Sequence, residues 1–188
     1  MVEGSRQSGI TLVTGGSRSG KSSYALALAS GRGGTRLFVA TCPPMDDEMK
    51  ARIARHREER KGGGWDTLES PLLSGADLEI ASGYGVVLVD CLALWVNNIM
   101  YEAEKGGTGL DEAGMAEMAG KLVSILAAFP GRVVLVTNEV GMGIIPDNAA
   151  SRLFRDLLGR CNQVVAAGAD TVIFMSCGIP LVLKGEQS

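Results

Sequence analysis

Short, almost continuously apolar runs alternate along this chain with longer amphipathic or polar stretches. The runs at 10–14, 36–40, 84–90, 132–137 and 171–176 are rich in Val, Ile and Leu. They are too short for helices and too apolar for strands with one wet face, so they predict strands buried on both sides. Residues 65–69 predict a further short strand and 179–183 a last one. Helices are expected from the turn after the first strand to about residue 30, over 46–60, 92–102 and 110–129, and from Asp147 or Asn148 to about 167. In that last helix Leu153, Leu157, Leu158 and Val165 repeat at helical spacing and predict an inner face. Residues 71–81 read as a short helix or a loop. Glycines at 31–34 stop the first helix, Pro43-Pro44 ends the second strand, and Gly62-Gly63-Gly64 makes a hinge-like break. Strands alternating with helices predict an α/β fold, a three-layer sandwich with a mainly parallel sheet and helices on both faces. Ligands in such folds bind at the C-terminal ends of the strands. Residues 1–8 are expected to be a flexible N-terminal tail and 9–188 a single domain.

Composition narrows the class. The chain has 188 residues, 46% of them apolar, and a formal charge of -3. That is enough apolar material for one buried core. The acidic balance argues against a nucleic-acid partner, which calls for a basic footprint. No apolar run approaches the ~18–20 residues of a membrane span, and the first eight residues lack the apolar centre of a secretory signal. The four cysteines, Cys42, Cys91, Cys161 and Cys177, are far apart. They predict reduced, mostly buried thiols of a cytoplasmic protein rather than a metal or disulfide framework.

The candidate chemistry begins at Gly15-Gly16-Ser17-Arg18-Ser19-Gly20-Lys21-Ser22, which fits G-x-x-x-x-G-K-[ST] between a predicted strand and a predicted helix. Glycines let backbone N–H groups turn toward phosphate oxygens, and the helix N-terminus adds unsatisfied donors. Lys21 is expected at the β/γ-phosphates and Ser22 on Mg²⁺, so the expected ligands are Mg²⁺ with GTP or ATP. Asp90, ending an apolar strand, reads either as a second Mg²⁺-associated carboxylate or as a cap for the following turn. Glu139 sits in the glycine-rich loop after the 132–137 strand. It reads either as a group that positions an attacking hydroxyl or as one that fixes its own loop. Trp65 and Trp95 read as packing residues.

His56 is the only histidine. A helix over 46–60 would place Arg52, His56 and Arg60 on one face, beside Arg55 and Arg57. One reading is a solvated charged helix. The other is a cluster of arginines that binds nucleotide phosphates around a histidine kept neutral by its positive neighbours, with a lone pair free to attack phosphorus.

Four segments then act together: 14–22, Ala51-Arg52-Ile53-Ala54-Arg55-His56, Asp90-Cys91-Leu92-Ala93-Leu94-Trp95-Val96 with Asn98, and Thr137-Asn138-Glu139-Val140-Gly141-Met142-Gly143-Ile144-Ile145-Pro146. Their combination closely resembles the bifunctional adenosylcobinamide kinase / adenosylcobinamide-phosphate guanylyltransferase family of cobalamin biosynthesis, over about residues 10–183. The resemblance implies a RecA-like P-loop NTPase fold, a homotrimer, and adenosylcobinamide and a nucleoside triphosphate as substrates. It also implies two reactions: phosphorylation of adenosylcobinamide with ATP or GTP, then transfer of GMP from GTP through a guanylyl-histidine to give adenosylcobinamide-GDP. Carried over by position, His56 is the catalytic nucleophile. Gly15, Gly16, Ser17, Arg18, Ser19, Gly20, Lys21 and Ser22 hold the triphosphate. Ala40, Thr41, Cys42, Arg57, Glu58, Glu59, Arg60, Glu69 and Asp90 bind guanine nucleotide, and Ser22 and Asp90 serve the metal. Cys42 stands where serine is common in the family, and Arg55 where some members carry a second histidine. A regulatory GTP switch would need N-K-x-D, and the corresponding place reads Asn138-Glu139-Val140-Gly141.

Overall fold

The computed structural model describes residues 9–31, 33–43, 54, 57, 58 and 60–185. The tail at 1–8 and most of the expected 46–60 helix, including His56 and Glu59, lie outside the described residues. Each apolar run forms a strand: β1 (Gly9–Gly15), β2 (Arg36–Ala40), β3 (Trp65–Glu69), β4 (Val86–Asp90), β5 (Arg132–Val136), β6 (Thr171–Ser176) and β7 (Ile179–Lys184). The helices between them are α1 (Lys21–Ser30), α2 (Gly75–Ala81), α3 (Leu92–Lys105), α4 (Glu112–Ala127) and α5 (Ala149–Gly168). The strands make one sheet in the order β3-β2-β4-β5-β1-β6-β7, parallel except for β7.

Neighbouring residues of a strand point to opposite faces. In β1, residues from Ile10 to Gly15 are all buried, as are Val86 to Val89 in β4 and Val133 to Val136 in β5. Both faces of the central strands are therefore covered. α1 packs on β1, β4 and β5, while α4 and α5 pack on β1 and on each other. β3 and β7 are the two edges, and β7 exposes Ile179, Leu181 and Leu183 at alternate positions.

Several elements differ from the sequence expectation. Residues 84–85 precede β4 rather than opening it, because Gly85 turns its N–H to the Thr35 hydroxyl and its carbonyl to the Arg132 N–H. Of the two readings for 71–81, the helix holds, over 75–81 and started by a capping box in which Ser74 and Asp77 exchange side-chain and backbone hydrogen bonds. Hydrogen bonds from the Ser70 and Ser74 hydroxyls hold the Asp77 carboxyl below its ordinary value. α4 starts after Asp111, whose side chain accepts the Gly114 N–H. In α5, Leu157, Leu158, Cys161 and Val165 are buried but Leu153 is exposed, lining a surface groove beside Met100, Ala103 and Leu110. Among the thiols Cys91 and Cys161 are buried, Cys42 is partly so, and Cys177 is exposed.

Gly131 is where α4 returns to the sheet, and a Cβ there would lie 2.5 Å from the carbonyl oxygens of both Tyr84 and Gly85. Backbone cannot retreat as a flexible side chain can. Gly131→Ala is therefore expected to lose about 1–3 kcal/mol of stability to overpacking, read as a lower midpoint in denaturant unfolding.

Candidate active site

β1 leads straight into the phosphate loop, and the loop is built for an anion. Gly15 has φ +154° and sits so close to β6 that a Cβ would meet the Met175 carbonyl at 2.5 Å. Gly20 caps α1 at φ 90°, with no side-chain hydrogen bond to the cap and no acid in the first turn. The first N–H groups of α1 thus keep donors and positive potential available for a ligand. Lys21 is buried and its Nζ donates to the Gly16 carbonyl at 3.0 Å, bending back over the loop. Ser22 is half-buried on the next position of the helix, while Ser17 and Arg18 are exposed. Outside, the β6–β7 turn braces the loop through the Gly178 N–H on the Ser19 carbonyl, at 3.0 Å.

A second set of residues gathers through sheet register. Ala40 ends β2 and pairs with Asp90 of β4 on one side and Glu69 of β3 on the other. Three residues far apart in sequence therefore form one row at the C-terminal ends of adjacent strands, each step about 4.8 Å. A pocket opens over this row, lined by Phe38, Ala40, Cys42, Arg57, Arg60, Thr67, Glu69, Asp90, Cys91 and Leu94. The Arg60 guanidinium lies over the Phe38 ring, 3.5 Å from its centroid, and is buried there. That is cation–π geometry. Arg57 pairs with Glu69 at the rim, where both side chains are about half exposed, so solvent weakens the pair.

Most of the nucleotide residues expected outside the phosphate loop thus meet in one pocket: Ala40, Cys42, Arg57, Arg60, Glu69 and Asp90. Two do not turn into it. Thr41 is fully buried, and its hydroxyl accepts the Cys91 N–H at 2.7 Å and donates to the Cys91 carbonyl at 2.8 Å. It ties the ends of β2 and β4 together. Glu58 faces solvent and pairs with Lys61. His56 and Glu59 are outside the described residues.

The sequence reading missed Phe38, Thr67, Cys91 and Leu94. Period-two alternation carries the signal for two of them, since Phe38 shares a face with Ala40 and Thr67 with Glu69. Cys91 follows Asp90, and Leu94 lies one helical turn beyond Cys91. Burial, followed by the charge of Asp90, pushes the Cys91 thiol up to about 12, so it stays protonated and serves as pocket wall. Behind the row, Asn98 donates to the Thr41 carbonyl at 2.8 Å and the Pro71 carbonyl at 3.0 Å, and the Trp95 indole donates to Leu72 at 2.9 Å. Trp95 is a packing residue.

The donor set suits a triphosphate. Among the described residues, the buried hydroxyls of Thr14 and Ser19 have no hydrogen-bond partner. Buried polar groups are normally paired, so an orphan in a phosphate loop suits a ligand oxygen. Glu139 is committed locally: its N–H donates to the Gly15 carbonyl at 3.0 Å, and its Oε1 accepts the Gly141 N–H at 2.8 Å. Those bonds favour the loop-fixing reading of Glu139.

Comparison with known proteins gives the same direction. The family model described as cobinamide kinase / cobinamide phosphate guanyltransferase matches residues 11–183. A bifunctional adenosylcobalamin biosynthesis protein of Salmonella typhimurium is 41% identical over 183 residues, covering 92% of this chain and 98% of its own. One from Pseudomonas aeruginosa is 38% identical over 176 residues, covering 93% and 97%. Among solved structures, a KaiC-like protein of Pyrococcus horikoshii is similar with a TM-score of 0.55 at 16% identity, over 95% of this chain and 80% of that one. The flagellar accessory protein FlaH of Methanocaldococcus jannaschii reaches 0.50 at 11% identity, over 95% and 79%. These two likenesses bear on fold alone, which is the RecA-like P-loop fold. With both sequence relatives matched almost end to end, the chain belongs to the cobinamide kinase / cobinamide phosphate guanyltransferase family.

Proposed function

We propose that this enzyme of cobalamin biosynthesis carries its guanyltransferase half through a covalent intermediate on His56. In the kinase step the aminopropanol hydroxyl of adenosylcobinamide attacks the γ-phosphorus of ATP or GTP held by Gly15–Ser22, releases its proton to water, and expels the nucleoside diphosphate as the bond from the γ-phosphorus to the bridging oxygen breaks. In the second step an imidazole nitrogen of His56 attacks the α-phosphorus of GTP. A P–N bond forms, the bond to the β-phosphate oxygen breaks, and pyrophosphate leaves. A phosphate oxygen of adenosylcobinamide phosphate then attacks that phosphorus, which frees His56 and yields adenosylcobinamide-GDP. Ser22 and Asp90 would hold Mg²⁺ beside the phosphates, where it neutralises developing charge. A homotrimer working in the cytoplasm completes the proposal.

The observation that supports it best is the place of Arg57, the residue after His56, in the pocket with Arg60, Glu69 and Asp90. The stretch that holds the chain's only histidine thus contributes to the nucleotide row. Incubation with α-labelled GTP and Mg²⁺, followed by denaturation, tests it: acid-labile label should map to His56. Label on any other residue, or none, overturns the covalent step.

A further inference from the structure

The loop after β5, residues 137–147, does no work in the reactions above, yet it is braced along its length. At its root the Thr137 hydroxyl donates to Asn162 Oδ1 at 2.7 Å, and Asn162 Nδ2 donates to the Asn138 carbonyl at 3.0 Å. The Glu139 N–H on the Gly15 carbonyl fastens it to the phosphate loop, and Val140 packs on the core. At its far end Arg152 donates to the carbonyls of Pro146 and Asp147, at 2.9 and 2.6 Å. Held between these anchors are Met142, Ile144 and Ile145, exposed by 79%, 96% and 68%. Three large apolar side chains on so braced a loop mark a surface kept for contact.

We infer that Met142, Ile144 and Ile145 form the platform on which the macrocycle of the cobinamide substrate rests during the kinase step. This rests on cobinamide being the acceptor, as proposed above. Phosphoryl transfer needs the attacking hydroxyl within about 3–3.5 Å of the phosphorus, so the ring bearing that hydroxyl must lie beside the phosphate loop. The 137–147 loop is hydrogen-bonded to that loop at Gly15 and leaves the sheet at its C-terminal edge. A corrin is a broad, flattened ring with apolar faces and an amide-bearing rim. The apolar side chains suit the face, and the exposed backbone at Gly143 offers a partner for the amides. A second copy of the chain is the competing occupant, but the exposed apolar row Ile179, Leu181 and Leu183 on the edge strand β7 offers such a copy an open sheet edge to pair with.

The test uses the full chain and a triple variant, Met142→Ser, Ile144→Ser and Ile145→Ser, whose exposed positions spare the core. Cobinamide KM in the kinase assay, cobinamide binding by equilibrium dialysis, GMP labelling and mass by light scattering are compared. Cobinamide KM and dissociation constant should both rise about tenfold or more from the lost apolar contact. Nucleotide KM, labelling by GTP and mass should not change. Unaltered cobinamide binding in the variant overturns the platform, and a fall in mass assigns the surface to a second copy and overturns it too. If the unmodified protein neither binds nor phosphorylates cobinamide, the functional reading itself fails with it.

Discussion

His56→Ala is expected to abolish transfer of GMP to the protein and lower formation of adenosylcobinamide-GDP by at least ~10³-fold, while cobinamide phosphorylation continues. The imidazole is the bond-forming atom in the proposed guanylyl step, and its methyl replacement has no lone pair to offer. The kinase step needs the triphosphate held and the acceptor hydroxyl placed, and both depend on the phosphate loop and its neighbours. The variant should therefore accumulate adenosylcobinamide phosphate. Product analysis by mass spectrometry, with ATP and GTP supplied together, reads both steps in one reaction. Loss of both activities would move His56 from nucleophile to general nucleotide binding, and undiminished GDP-product would remove it from the mechanism.

Lys21→Ala should behave differently, with both activities down by about 10²–10³-fold in kcat, the usual loss when one preorganised donor to developing phosphate charge is removed. The sequence contains a single G-x-x-x-x-G-K-[ST] match, and the proposal puts the triphosphates of both reactions on that loop. Lys21 is buried, with its Nζ already fixed 3.0 Å from the Gly16 carbonyl, so little reorganisation is needed when substrate arrives. Lys21→Arg should not restore the rate, since a planar fork cannot replace a point charge in that space. Steady-state kinetics of each half-reaction, with circular dichroism to confirm the fold, check the result. Intact guanylylation in Lys21→Ala would show that GTP engages His56 without the phosphate loop. The pair of variants thus separates the two chemistries: one removes the second step, the other removes both.

How far these conclusions were legible in advance varied by residue. The strands at 36–40 and 171–176 have the bounds their apolar runs predicted, because runs closed by glycine, proline or polar residues leave little freedom in where pairing stops. The phosphate loop was legible for a similar reason: every residue that makes it lies within one short segment. Thr41 was not. Its neighbours Ala40 and Cys42 line the pocket, but its own hydroxyl is spent joining β2 to the turn after β4, which a local pattern does not record. Leu153 fitted the apolar period of its helix and is nevertheless exposed, because it faces an open groove beside the end of α3 rather than the sheet. Glu139 kept two readings until its carboxylate was seen to close on Gly141.

By itself the sequence determined the alternation of strand and helix, the phosphate loop, and the residue types that handle phosphate, because these follow from short periods and contiguous motifs. Only the tertiary structure decided that Glu69, Ala40 and Asp90 stand in one row, that Phe38 lies under Arg60, and that the loop after β5 is tied to the phosphate loop through the Glu139 N–H and the Gly15 carbonyl. Those relations depend on strand order and register between distant segments, and period-two alternation says which face a residue takes but never which strand will lie beside it.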